Sequence, residues 1–277
     1  MKRIATVQDI SCLGKCSLTV ALPIISAMGV ECCVVPTAVL STHTMFSRFT
    51  FRDLTEDIPA ILDHWQEEKF EFDAFYTGYL GSKEQLNLVS DLFSRFSGLR
   101  VVDPVMGDHG RLYTGFTEEF AAEMAKLCGQ ADVILPNLTE ACFMLGDDYC
   151  ENYTRTDIES KLRRLTGLGA KCAVLTGMSF EKGKVGLLGY DAKNDRFFEY
   201  YNEKVDASYH GTGDIFASTA VGGLMRGLSL EDALALAADY TRECIVKTKE
   251  AVVDLGYGVC FEAVLPQLIS WLEEKLK

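Results

Sequence analysis

The 277-residue chain is short of positive charge: 27 Lys and Arg stand against 40 Asp and Glu, a formal net charge of −13. A nucleic-acid backbone or an anionic membrane surface calls for a basic face, so neither is expected as a partner. There is no long apolar run. The longest, Leu18 to Val30, is interrupted by Pro23, Ser26 and Gly29 and is too short to cross a bilayer. Met1-Lys2-Arg3 leads into only a brief apolar stretch before Gln8-Asp9, which is not the pattern of a signal peptide; a cytoplasmic protein is the expectation. The ten cysteines include no CxxC pair, and Cys12-x-x-x-Cys16 lacks a partner pair at zinc spacing. Reduced thiols, mostly buried, are expected. His43, His64, His109 and His210 show no ligand spacing.

Several catalytic signatures are missing as well. No GxGxxG follows the first strand, and neither HExxH nor GxSxG occurs. Gly14-Lys15-Cys16-Ser17 resembles the end of a P-loop, but the first glycine of that motif would fall on Asp9, and Cys16 replaces the required Ser or Thr. No repeat, low-complexity stretch or linker breaks the chain, which reads as a single domain over residues 1–277.

What is present is an alternation of strand and helix patterns. Strands are predicted over 3–7, 32–36, 72–77, 99–103, 133–135 and 172–176. Helices are predicted over 17–28, 55–68, 83–96, 117–127, 139–145 and 157–166. The rhythm then changes: residues 185–190 and 196–201 form a hairpin around Asp191-Ala192-Lys193-Asn194. Helices over 213–225, 230–248 and 262–277 close the chain. Repeated β–α units imply an α/β fold with a mostly parallel sheet, helices on both faces and an antiparallel edge. Ligands of such sheets sit beyond the carboxyl ends of strands, and polar residues cluster there: Gln8-Asp9, Thr77-Gly78-Tyr79, Asp103, Asn137 and Thr176-Gly177.

Three constellations stand out. Gly211-Thr212-Gly213-Asp214 opens an apolar helix. Free N–H groups and the dipole at a helix start suit a phosphoryl group, and a carboxylate there is explained either as a base for an attacking hydroxyl or as an ordinary first-turn Asp. From those four residues alone the two readings are balanced. Asp103-Pro104-Val105-Met106-Gly107-Asp108 could bind a cation or its water shell, or be simple turn chemistry, which is the stronger reading of that segment by itself. Pro136-Asn137-Leu138-Thr139-Glu140 has capping-box spacing; Asn137 and Glu140 either cap the helix or face a metal–phosphate group, with Glu140 acting through metal-bound water.

Taken in order, these pieces resemble the ribokinase-like superfamily, in its vitamin-kinase branch and nearest the pyridoxal (pyridoxamine/pyridoxine) kinases. The matching stretches are Val7-Gln8-Asp9 followed by Gly14, Leu40-Ser41-Thr42-His43-Thr44, Tyr76-Thr77-Gly78-Tyr79, the segment 102–108, the segment 136–140, Leu175-Thr176-Gly177 and the Gly211–Asp214 motif. They extend from Ile4 to about Lys249. The resemblance implies a ribokinase-like three-layer sandwich. It also implies transfer of the ATP γ-phosphoryl group to the 5′-hydroxymethyl oxygen of a B6 vitamer, with Mg2+ and a monovalent cation such as K+ as cofactors, in a homodimer.

The same resemblance implies roles residue by residue. Asp214 looks like the general base, and the amides of Gly211, Thr212 and Gly213 like the anion hole. Asp9, Thr44 and Tyr79 look like pyridine-ring contacts. Asp103, Asn137 and Glu140 look like the Mg2+–phosphate group, with Asp103 and Glu140 on the metal side, and Thr176 looks like an ATP-phosphate contact. Asp108 belongs to a loop over residues 103–113 that would close on the phosphates. Three positions depart from the pattern: Asp9 stands where Ser is common, Met45 where Gly is common, and His210 where a small apolar residue is frequent. An anionic Asp9 would favour a protonated pyridine nitrogen or a cationic amine. The alternatives are a hydroxymethylpyrimidine (phosphate) kinase or another small-alcohol kinase of the superfamily, and a non-catalytic vitamin- or nucleotide-binding protein.

Overall fold

The computed structural model describes residues 1–207, 209–251 and 257–277. In chain order its elements are β1 (Arg3–Ser11), α1 (Leu18–Ala27), β2 (Glu31–Leu40), β3 (Phe51–Asp53), α2 (Ile58–Glu67), β4 (Ala74–Thr77), α3 (Lys83–Arg95), β5 (Leu99–Val102), β6 (Gly107–Asp108), β7 (Arg111–Leu112), α4 (Glu118–Cys128), β8 (Val133–Ile134), α5 (Leu138–Leu145), α6 (Arg155–Gly167), β9 (Cys172–Met178), β10 (Lys184–Asp191), β11 (Arg196–Glu203), α7 (Thr212–Met225), α8 (Leu230–Glu250) and α9 (Leu265–Lys275). Short 3-10 turns at Thr55–Asp57 and Phe261–Val264 precede α2 and α9. The chain divides into two compact units, Met1–Ala74 with Lys204–Lys277, and Phe75–Glu203.

In the first unit β1 and β2 pair in parallel and β3 adds an antiparallel edge. The expected strand over 32–36 runs on to Leu40, past a proline that has no N–H to give the ladder. The register absorbs this: Gln8 pairs with Pro36 and Ile10 with Val39, so the pairing shifts at Asp9. Such irregularities re-aim a side chain near sites. The helices of this unit carry an apolar core of Val20, Ile24 and Met28 from α1, Ile215 from α7, Leu236 and Tyr240 from α8, and Leu268 and Leu272 from α9. The Tyr240 hydroxyl, buried in this core, donates to the Phe261 carbonyl at 2.9 Å, as a buried phenol must.

In the second unit the strand order is β11-β10-β9-β8-β5-β4. The β5–β8 and β8–β9 pairs are parallel, and β10 and β11 form the expected antiparallel hairpin. A separate two-stranded ribbon, β6–β7, follows Pro104. Side-chain oxygens start the helices here: Ser82 accepts from the Gln85 amide, Thr117 from Phe120 and Thr154 from Asp157, each cap contributing about 1 kcal/mol. The α/β class, the mostly parallel pairing and the antiparallel edge all agree with the sequence. Helix ends differ by a residue or two, except that the expected helices over 55–68 and 262–277 each begin as a 3-10 turn, with Pro59 and Pro266 in the first turn of the α-helices that follow.

All ten cysteines are free; Cys12 and Cys150 are exposed, Cys32, Cys33 and Cys260 half-buried, and Cys16, Cys128, Cys142, Cys172 and Cys244 buried. Among the described residues no helix is long and apolar enough to cross a membrane.

Candidate active site

The first unit brings two carboxylates together. Asp9 sits at the register shift of β1 and is 5% exposed. Asp214 lies in the first turn of α7. Burial is the main force on both, and it raises both pKa values. Asp9 is raised by desolvation and partly relieved by the hydroxyls of Ser17 and Ser11, with Ser11 Oγ at 3.3 Å. Asp214 is pushed up to about 7 by desolvation and by the neighbouring charge of Asp9, against a hydrogen bond from the Ser17 amide. Two acids sharing one site oppose each other's ionisation.

Helix starts surround them. Gly211 is the N-cap of α7, with φ 84°, and a Cβ there would lie 2.1 Å from the Lys15 carbonyl oxygen. Only glycine fits that approach. Ser17 is the N-cap of α1, so the positive ends of two helix dipoles meet the two acids. Gly213 is exposed, and a Cβ on it would meet nothing within 4 Å; Thr212 is half-buried, and its hydroxyl lies 3.4 Å from the Tyr209 carbonyl. The Cys16 thiol is held strongly protonated by burial and by the nearby Asp214 and Asp9.

The loop from Gly14 to Ser17 is clamped. Lys15 N–H donates to the Tyr257 carbonyl at 3.2 Å, and Lys15 Nζ pairs with Glu262 at 2.7 Å while lying over the Tyr257 and Phe261 rings. Gly14 has φ 95° and abuts the His43 ring so closely that a Cβ would lie 2.2 Å from it. His43 is buried and its ring centroid lies 4.5 Å from that of His210. Desolvation, with His43 beside it, pushes the His210 imidazole down to about 4, so it is neutral at physiological pH. Thr44 is exposed next to His43.

The second unit gathers another set. Asn137 is the N-cap of α5 and forms a true capping box with Glu140. Asn137 Nδ2 donates to the Gly107 carbonyl at 2.9 Å, and the Gly110 amide donates to Thr139 Oγ1 at 2.9 Å. The β6–β7 ribbon, which carries Asp108 on its exposed side, is thereby tied to the start of α5. Glu140 is 4% exposed; its oxygens accept from the Met106 amide at 3.2 Å and the Asn137 amide at 2.8 Å. Desolvation nonetheless raises its pKa, and the charge of Asp108 adds to the effect. Asp103 is buried at the end of β5, and its charge and that of Glu140 both bear on the Cys128 thiol. A parallel bridge joins Asn137 to Thr176, whose amide donates to the Pro136 carbonyl at 3.0 Å. Tyr79 is half-buried, 5.4 Å from the Phe116 ring.

Thus Asp9, Asp214 and Gly211 share one neighbourhood, and Asp103, Asn137, Glu140 and Thr176 share another. Among the described residues no group of three or more His, Cys, Asp or Glu side chains is arranged to hold a metal by itself. The donor chemistry of Asp103 and Glu140 still suits a hard cation that keeps most of its water, because both Glu140 oxygens already take backbone N–H bonds. Ser17 and Ser11 were not evident as site residues. Ser17 closes the Gly14–Ser17 loop, which fails as a P-loop, whereas Ser11 is the last residue of β1.

Residues 21–259 match the family described as phosphomethylpyrimidine kinase. A protein of Bacteroides thetaiotaomicron assigned as a phosphomethylpyrimidine kinase, solved in a crystal form with pyridoxal, is 41% identical with a TM-score of 0.92; the match covers 96% of this chain and 95% of that one. The pyridoxal kinase of Lactobacillus plantarum is 31% identical with a TM-score of 0.91, covering 99% of each chain. The pyridoxine/pyridoxal/pyridoxamine kinase of Bordetella avium is 28% identical, covering 90% of this chain and 86% of that protein.

Proposed function

The chain belongs to the phosphomethylpyrimidine kinase family, and from that premise we propose that it phosphorylates the 5′-hydroxymethyl group of a B6 vitamer with ATP as donor. Kinase activity follows from the family; the vitamer is our reading. The observation that supports it is the buried Asp9 beside Asp214, because an acid at the ring contact pairs with a pyridinium or a cationic amine better than with a neutral pyrimidine.

In this reading Asp214 takes the proton of the substrate hydroxymethyl group as its oxygen forms a bond to the γ-phosphorus and the bond from that phosphorus to the ADP oxygen breaks. A carboxyl with pKa near 7 suits that task at neutral pH. The amides at the start of α7, from Gly211, Thr212 and Gly213, stabilise the charge on the moving phosphoryl group. Asp9 and Thr44 are read as ring contacts, and Tyr79 is assigned the same role. Asn137 and Thr176 orient the nucleotide phosphates. Asp103 and Glu140 would hold Mg2+, Glu140 through bound water, and the ion would supply charge neutralisation on those phosphates. We read the chain as a single kinase domain over residues 1–277 and place it in the cytoplasm as a homodimer.

ADP release measured with pyridoxal, pyridoxine, pyridoxamine and hydroxymethylpyrimidine in parallel tests the proposal. The expected result is a higher kcat/KM for a B6 vitamer. The second reading, a hydroxymethylpyrimidine kinase, is favoured by the family match itself and takes over if the pyrimidine alcohol is turned over fastest.

A further inference from the structure

Two imidazoles pack together in the first unit, each next in sequence to a residue of the proposed site. The His43 and His210 ring centroids lie 4.5 Å apart, with the planes tilted by 40°. His43 directly precedes Thr44, the proposed ring contact, and His210 directly precedes Gly211, the N-cap of α7. The segment that carries Thr44 is closed at its base: Ser41 N–H donates to the Thr50 carbonyl at 3.1 Å, and Thr50 N–H donates to Ser41 Oγ at 2.8 Å. Phe46 N–H donates to the His43 carbonyl at 3.3 Å, which makes a turn around Thr44. Of residues 41–50 only His43 is buried, so its contacts decide where that turn sits. Its ring lies against Gly14 and 4.8 Å from the Phe46 ring. His43 Nδ1 accepts from the Met45 amide at 3.3 Å, so the ring is neutral with its proton on Nε2. Burial and the nearby His43 keep His210 neutral as well, and two neutral rings pack without charge repulsion.

We infer that His210 is a positioning residue that acts through His43: its ring fixes the turn carrying Thr44 relative to Gly211, and so fixes the vitamer ring relative to the start of α7. This rests on the proposed kinase reading. The hydroxymethyl group is attached to that ring, so the place of the turn sets where the nucleophile meets the phosphoryl group. Ring packing and hydrogen bonding separate by substitution. Phenylalanine keeps an aromatic ring and has no polar atom. Glutamine keeps polar atoms and has no ring.

The test is His210→Ala, His210→Gln and His210→Phe in the full chain. His210→Ala and His210→Gln are expected to raise KM for the preferred vitamer about three- to tenfold, the scale of an aromatic pair, and to leave KM for ATP within about twofold. His210→Phe should restore the parental KM. A role in folding alone would lower kcat with the folded fraction and leave both KM values unmoved. Hydrogen exchange followed by mass spectrometry should be faster over residues 41–50 in the Ala and Gln variants and parental in the Phe variant. A parental vitamer KM in His210→Ala overturns the inference. So do equal KM increases in all three variants, and so does rescue by Gln but not by Phe, which would make the contact a hydrogen bond. If the parent turns over none of the alcohols, the kinase reading has failed and the exchange experiment decides the tie between the two histidines. Equal exchange over residues 41–50 in the parent and all three variants then overturns it.

Discussion

Asn137 and Glu140 each hold the other's backbone: the Glu140 amide donates to Asn137 Oδ1 at 2.9 Å, and the Asn137 amide donates to Glu140 Oε2 at 2.8 Å. The pair starts α5, and through Asn137 Nδ2 it also anchors Gly107 of the ribbon. Asn137→Ala removes the cap and the anchor together. It should cost about 1–2 kcal/mol of stability and, in the proposed reading, raise the KM for ATP about tenfold or more. Urea denaturation and ATP titration measure the two effects; an unchanged KM for ATP removes Asn137 from the nucleotide site.

Asp214→Asn should retain ATP binding and lose kcat by about 10²–10⁴-fold, the usual contribution of a general base. It should also change how stability depends on pH. The Asp214 pKa is raised to about 7 from 3.8, so the folded state binds more protons than the unfolded one between those values, and stability falls as pH rises through that window. The loss amounts to a few kcal/mol at most, at about 1.4 kcal/mol per pKa unit. Asn carries no such penalty, so the variant should melt above the parent at pH 8 and approach it at pH 4. Parallel Tm–pH curves for parent and variant would contradict the raised pKa, and near-parental kcat would remove the base.

Asp9→Ser should weaken pyridoxamine more than pyridoxal, because it deletes the negative charge at the proposed ring contact. Burial raises the Asp9 pKa, so the charge, and the discrimination it confers, should grow with pH. Comparing kcat/KM for both vitamers at several pH values checks this. Equal losses for the two would count against an ionic contact.

Two glycines of the same motif should behave differently. Gly211→Ala places a Cβ 2.1 Å from the Lys15 carbonyl oxygen at φ 84°, and the strain alone costs about 1–3 kcal/mol. The expected variant is poorly soluble or much less stable. Gly213→Ala meets nothing within 4 Å and should fold normally. Alanine keeps the backbone N–H, so if the moving phosphoryl group lies against Gly213, kcat should fall because the methyl group takes up the space that group needs. A Gly213→Ala enzyme with parental kcat would show that the phosphoryl group does not pass against this residue.

The sequence made the regular elements plain wherever the hydrophobic period was strong. The α1 face of Val20, Ile24 and Met28 and the buried runs of β1 and β9 are examples. It hid what depends on individual torsions and on very short pairings. The strand β3 is three exposed residues without alternation. The ribbon β6–β7 is two residues a side around His109 and Gly110, both with positive φ, and reads as a turn. β2 outran its expected end because a register shift at Asp9 accommodates Pro36. The pair of acids was legible as two separate motif residues.

The distribution of thiols gives the molecule its own clock. Cys16 and Cys244 are sealed inside the first compact unit, and Cys128, Cys142 and Cys172 inside the second, whereas Cys12 and Cys150 face solvent. An alkylating reagent therefore reaches the two outer sulfurs at once and the five inner ones only when their own unit opens. Mass spectrometry of the labelled peptides can thus time the opening of each half independently, with no engineered reporter.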